Sequence, residues 1–210
     1  MPMNIRDIIA LARVIPELTF SDSAAALPVA RALFAGGLRV LEISLRTPVA
    51  LGCIEAVRKG LPDAVVGAGD LTRAVDFAAA DRAGAQFGAT PGLTPELAAA
   101  SRGARFPVMP GVMTPTEVIN ARNSSFNVLK LFPAQQAGGT GVLRAFGTAF
   151  PDVLFCASGG ITRANAADYL ELANIACVAA NWVVPQALLA QSDWPGIEAL
   201  ARDAVSLARP

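Results

Sequence analysis

Asn127-Val128-Leu129-Lys130-Leu131-Phe132-Pro133-Ala134 is an apolar run interrupted by one lysine and stopped by a proline. The run has the length of one buried strand, and Pro133 cannot extend it. An ammonium group inside a protein is costly to desolvate, so Lys130 is expected to be paired, to reach water at the strand end, or to take part in chemistry. Lys59 and Lys130 are the only lysines among 17 Lys plus Arg residues, so arginine meets the remaining demand for positive charge. An amine can do what a guanidinium cannot. Held in an apolar pocket with a lowered pKa, it attacks a carbonyl and forms a Schiff base.

Outward from this run, one theme recurs: a brief apolar stretch, then a longer Ala/Leu-rich stretch of helical period. Strands are expected at 13–18, 38–44, 64–68, 85–89, 106–109, 127–131, 153–157 and 176–180. Helices are expected near 23–35, 48–59, 71–82, 94–101, 114–122, 139–149 and 163–172, with one or two more from 183 onward. A short amphipathic helix near 4–12 precedes them. About eight strand–helix units predict an α/β protein whose residues 1–210 form a single-domain (β/α)8 TIM barrel with a short N-terminal helix. A doubly wound open sheet is the alternative.

Composition narrows the chemistry. Acidic and basic residues balance at 17 each, and nothing suggests a surface for nucleic acid. Cys53, Cys156 and Cys177 are odd in number, lack CxxC spacing and sit among apolar neighbours, which predicts reduced core thiols and a cytoplasmic protein. The first 12 residues lack the apolar core of a signal peptide, and no run is long enough to span a bilayer, so no membrane partner is expected. The chain has no histidine. Ser-His and Cys-His pairs and HExxH zinc sites are therefore ruled out, and any acid or base must be Glu, Asp, Lys, Tyr or Cys. No paired acidic motif suggests a metal.

In a barrel, reacting groups belong at the C-terminal ends of strands and in the loops that follow. Alternation along the second strand puts Glu42, Ser44 and Arg46 on one face. Val128, Lys130 and Phe132 share a face of the sixth, so Lys130 and Glu42 are expected to meet inside. Ser158-Gly159-Gly160 after the seventh strand and Asn181-Trp182-Val183 after the eighth lie where barrels bind phosphate through backbone N–H groups.

These segments resemble the 2-keto-3-deoxy-6-phosphogluconate (KDPG) and 2-keto-4-hydroxyglutarate (KHG) aldolases. The likeness runs through Val14-Ile15-Pro16, Ala35 to Glu42 with Leu45-Arg46-Thr47, Val66 to Gly69, Gly84 to Phe87, Pro91 to Thr94, Pro110-Gly111, Leu129 to Ala134, Phe155-Cys156, Ser158 to Ile161 and Trp182 to Pro185. The resemblance implies a metal-independent lyase without an added cofactor, in which Lys130 forms the Schiff base and Glu42 is the general acid and base. It implies that Arg46, helped by the loop at Pro91, holds the pyruvate carboxylate. Ser158, Gly159, Gly160 and Asn181 would receive a distal phosphate. It also implies a homotrimer and, as partner, a small keto-acid substrate that is cleaved to pyruvate and an aldehyde.

Three positions depart from the pattern. Asp70 stands where the family has a threonine near the pyruvate carboxylate, and Glu17 stands where it has an apolar residue. Asn181 replaces a phosphate-binding serine. An ionised Asp70 facing a carboxylate near 4 Å would oppose it by roughly 1 to 4 kcal/mol. Asp70 is therefore expected to be protonated, to point away or to pair with an arginine, unless the ligand itself differs. Glu17 and Phe132 are specificity candidates. The plainer expectation is that Glu17 and Asp70 only balance Arg13, Arg39 or Arg73 at the rim. The alternative functions are an aldolase or decarboxylase for a non-phosphorylated keto acid, and a silent keto-acid or sugar-phosphate binding protein.

Overall fold

A computed structural model describes residues 3–207. Nine strands form one sheet: β1 (Val14–Leu18), β2 (Val40–Ser44), β3 (Val65–Gly69), β4 (Phe87–Ala89), β5 (Val108–Met109), β6 (Gly111–Val112), β7 (Val128–Leu131), β8 (Leu154–Ala157) and β9 (Ile175–Ala180). All neighbours are parallel, in the order β5-β4-β3-β2-β1-β9-β8-β7-β6. The two ends of this order, β5 and β6, are halves of one strand separated by Pro110 alone. The sheet therefore closes into the expected (β/α)8 barrel. Proline has no N–H to give the ladder, which breaks the fifth strand, but the Pro110 carbonyl still accepts from Lys130 N at 2.8 Å. The expected strand at 106–109 is corrected accordingly to two short pieces.

The helices are α1 (Ile5–Ala10), α2 (Ala26–Ala35), α3 (Ala50–Gly60), α4 (Ala74–Arg82), α5 (Pro95–Gly103), α6 (Pro115–Asn123), α7 (Gly139–Ala149), α8 (Ala166–Leu170), α9 (Gln186–Ala190) and α10 (Trp194–Leu207). Local chemistry sets several starts. Thr114 and Glu117 form a reciprocal capping box on α6, and Thr94 caps α5 ahead of Pro95. The helix expected from residue 71 begins later because Asp76 folds back to accept from the Thr72 and Arg73 amides at 3.1 and 2.9 Å. The stretch 23–25 is a 3-10 turn capped by Asp22 rather than part of α2. The helix expected over 163–172 shortens to α8.

Two apolar layers follow from strand alternation. One face of every strand packs outward on the helices, as with Leu41, Ile43, Val66, Leu129 and Phe155. The other fills the barrel with Ile15, Val40, Val65, Phe87, Met109, Val128, Cys156 and Cys177. Ile8 and Ile9 of α1 join the inner cluster and close the N-terminal end. The inner layer is thus apolar at that end, and its polar residues are concentrated at the other. No described helix is long and apolar enough to cross a membrane.

Candidate active site

Lys130 lies on β7 with its side chain 6% exposed. Its Nζ donates to Glu42 Oε1 at 2.7 Å and to Glu17 Oε1 at 2.5 Å. Glu17 and Glu42 are register partners on β1 and β2, so the two carboxylates stand side by side across the barrel from the amine. Ser158, just beyond β8, donates its hydroxyl to Glu17 Oε1 at 3.0 Å. Glu42 fits because β3 has Gly69 beside it: a Cβ at Gly69 would come within 2.3 Å of Glu42 Oε1. The second Glu42 oxygen, Oε2, is buried with no hydrogen-bond partner. A buried acceptor without a donor is unusual in a native fold, and here it is an unused proton-accepting position beside the amine.

The electrostatics differ from the expectation at one point. Lys130 does not have a lowered pKa. Burial disfavours its charge, but the Glu42 and Glu17 carboxylates outweigh burial and hold the ammonium above its ordinary range. Burial pushes the Glu42 carboxyl up to about 7; Lys130 pulls it back, while Glu17 and Asp70 add to the rise. Beneath the amine, Cys156 sits beside Cys177, and that contact together with burial holds its thiol well above the usual value. An inert core thiol is what such surroundings produce.

A second cluster borders the first. Asp70, at φ 56°, follows β3 and accepts from Ser44 Oγ at 2.5 Å and from Arg46 Nε at 2.8 Å. Of the outcomes open to Asp70, pairing with an arginine is the one observed. Pairing of Glu17 and Asp70 with Arg13, Arg39 or Arg73 does not occur: Arg13 donates to the Leu170 carbonyl, Arg39 lies over the Phe34 ring and Arg73 binds Asp76. Arg46 is 61% exposed and extends past the end of β2. Only its Nε is engaged among the described residues, so the two terminal nitrogens of its fork remain free to donate.

The other candidates stand at the same end without joining either cluster. The Pro91 backbone presses on Gly111, where a Cβ would meet the Pro91 carbonyl oxygen at 2.3 Å. Phe132 lies against Gly159, joined to Pro133 by a cis peptide. Gly159 and Gly160 adopt φ of 91° and 75°, and neither N–H donates to a described residue. These two amides are therefore left without a protein acceptor among the described residues. Asn181 is exposed, and its side chain makes no hydrogen bond among the described residues. Ser44 was a neighbour the sequence had placed on the right face without a task; the alternation Glu42-Ser44-Arg46 was the available signal. Among the described residues no three His, Cys, Asp or Glu side chains converge to hold a metal ion.

Comparison with known proteins supplies the lineage of this arrangement. The family model for KDPG and KHG aldolase matches residues 5–200. The 2-dehydro-3-deoxy-phosphogluconate aldolase of Pseudomonas aeruginosa is 41% identical over 194 residues, 92% of this chain and 88% of that one. The KHG/KDPG aldolase of Escherichia coli K12 is 39% identical over 202 residues, 96% of this chain and 95% of that one. The crystal structure of KDPG aldolase from Legionella pneumophila, with pyruvate captured as a covalent carbinolamine, superposes with a TM-score of 0.95 at 38% identity, covering 97% of this chain and 99% of that one. A lysine between carboxylates at the mouth of a barrel and these likenesses over nearly the full length agree: the chain belongs to the KDPG and KHG aldolase family.

Proposed function

We propose that the protein is a Schiff-base aldolase that cleaves a 2-keto-3-deoxy sugar acid, 2-keto-3-deoxy-6-phosphogluconate by first preference, to pyruvate and an aldehyde. The observation that carries this reading is Lys130 Nζ held 2.7 Å from Glu42, whose other oxygen is buried and unpartnered. Once deprotonated, the amine adds to the C2 carbonyl of the keto acid, and loss of water gives an iminium. The iminium is an electron sink. When Glu42 accepts the proton of the C4 hydroxyl, the C3–C4 bond breaks, the aldehyde leaves and the electron pair is held as an enamine. Return of a proton to C3 and addition of water release pyruvate and the lysine. Lys130 supplies the electrophile, so the residues in hand account for the reaction without a metal or added cofactor.

The terminal nitrogens of Arg46 suit the substrate carboxylate, with the Pro91 loop beside it. The open amides of Gly159 and Gly160, with Ser158 and Asn181 at the rim, suit a distal phosphate, and Phe132 flanks them. One observation favours a second reading, a non-phosphorylated acid: the Ser158 hydroxyl is already given to Glu17, whose charge would oppose a phosphate placed close by. Free, buried cysteines suit a reducing cytoplasm. The exposed apolar side chains Val75, Met113 and Ile119 are available to a subunit contact, and we infer a homotrimer.

One experiment tests these together. Borohydride with pyruvate should leave one covalent adduct per chain on Lys130, and native mass measurement should find it on particles three times the 21.6 kDa chain. Lys130→Met should take no adduct. Absence of an adduct on the wild-type protein would sink the aldolase reading. Faster cleavage of the unphosphorylated substrate than of the phosphorylated one would select the second.

A further inference from the structure

Lys130 Nζ touches two carboxylates, and the two are not equivalent. Glu42 lies 2.7 Å away and is 3% exposed, and its burial keeps it only partly ionised near neutral pH. Glu17, its neighbour on the adjacent strand, adds a second carboxylate in direct contact with the ammonium. The two acids are also differently placed. Glu42 is sealed, with one oxygen buried and unpartnered, whereas the Glu17 side chain is 26% exposed. Glu17 Oε1 is fixed from two sides, by Lys130 Nζ and by the Ser158 hydroxyl, and its Oε2 makes no hydrogen bond among the described residues. Of the two carboxylates touching the reacting nitrogen, only Glu17 also reaches solvent.

We propose that Glu17 is a second acid–base catalytic residue, which takes the proton Lys130 must lose before it attacks and returns it to the hydroxyl that leaves the carbinolamine. Glu42 is then reserved for the C4 hydroxyl. This rests on the aldolase reading above. The steps balance. The ammonium gives one proton to the Glu17 carboxylate, and the freed lone pair forms the N–C2 bond while the carbonyl π pair moves to oxygen. A second proton passes from nitrogen to that oxygen, giving the neutral carbinolamine. Protonated Glu17 then delivers its proton to the hydroxyl, the C–O bond breaks, water departs and the nitrogen lone pair closes the iminium. Three protons begin on nitrogen; one ends on the iminium and two in water, with Glu17 again a carboxylate.

Ser158 acts through Glu17 as a positioning residue. The other titratable groups turned toward the amine are Glu42 from β2 and Cys156 from β8, with Cys177 from β9, Asp70 after β3 and Arg46 after β2 behind them. The interior positions of β4, β5 and β6 contribute Phe87, Ala89, Met109 and Gly111, which do not titrate. A change in the pH profile on altering Glu17 can therefore be read against a short set of groups.

The test measures the rate of iminium formation from pyruvate by timed borohydride quench across pH, on wild type, Glu17→Gln and Glu17→Ala. Glutamine keeps an acceptor for Lys130 and Ser158 but cannot carry the proton. Glu17→Gln should slow iminium formation about 100-fold, the low end of what a positioned acid–base group contributes. Glu17→Ala should be similarly slow and should recover at least tenfold when formate is added, which a purely structural loss would not do. A wild-type rate in Glu17→Gln, a faster rate because the lysine loses its proton more readily, or a slow Glu17→Ala indifferent to formate would each overturn the proposal. A wild-type protein that forms no iminium at all would instead remove the aldolase reading beneath it.

Discussion

Asp70 places a negative charge where a keto-acid carboxylate is expected, yet its partners change what that charge does. Arg46 Nε and the Ser44 hydroxyl both donate to the same Asp70 oxygen, so the aspartate orients the guanidinium while partly neutralising it. Asp70→Asn keeps an acceptor for Nε, and asparagine tolerates the left-handed backbone at φ 56°. The freed charge on an exposed arginine is worth up to about 1 kcal/mol. We expect KM for the keto acid to fall up to about fivefold with kcat little changed; a rise in KM would mean that orientation outweighs charge. This residue shows what the sequence could and could not disclose. The pairing of Lys130 with Glu42 was legible because strand alternation fixes which side chains face inward. Which arginine Asp70 would choose was not, since that depends on loop geometry after two different strands. The elevated lysine pKa was also hidden: it needs the distances to Glu42 and Glu17, on strands far away in sequence.

At the scale of the element, strands and helices were read almost to their ends, because buried parallel strands leave short apolar runs and the intervening helices carry a strong Ala/Leu period. The failures have local causes: Pro110 splitting the fifth strand, and Asp76 delaying α4 by capping the residues before it. A subtler feature is β3, which reads Val65-Val66-Gly67-Ala68-Gly69. Its glycines look like weak strand residues, but each is a space for a neighbour's side chain. At Gly67 a Cβ would meet the Phe87 ring at 2.3 Å, and at Gly69 it would meet Glu42. The backbone at 69 can accept alanine, and what must yield is the far end of Glu42 rather than a main chain. Gly69→Ala should therefore cost only about 1 to 3 kcal/mol in stability. It should lower kcat about 100-fold by moving Glu42 away from the reacting atoms. Thermal melts paired with steady-state rates separate the two effects. A variant that melts early but keeps its kcat would show that the strand, and not Glu42, absorbs the added methyl.

For the whole molecule, the site makes stability depend on pH in a direction opposite to that of paired surface carboxylates. Glu42 has its folded pKa raised from 4.5 to about 7, first through burial. The folded protein then holds a proton between these values that the unfolded chain has released. The contribution is fully present below about 4.5 and is lost as pH rises through about 7, with a total on the order of 3 kcal/mol. Lys130, also raised, behaves as a base: its stabilisation is complete throughout this window and declines only above its unfolded value of 10.5. Glu117, lowered against its burial by the Met113 and Thr114 amides, and Asp203, lowered by Arg163, stabilise above their unfolded values and lose this only in stronger acid. From about pH 5 to about pH 7, Glu42 is therefore the one of these groups whose contribution falls. Calorimetric unfolding at successive pH values should show the wild-type melting temperature falling across that interval, and Glu42→Gln, which cannot ionise, should remove most of the fall. An equal slope in both proteins would place its origin elsewhere. A flattened slope accompanied by lost cleavage would tie the same buried carboxyl to both properties, because a base kept near neutrality by burial necessarily weakens the fold when it ionises.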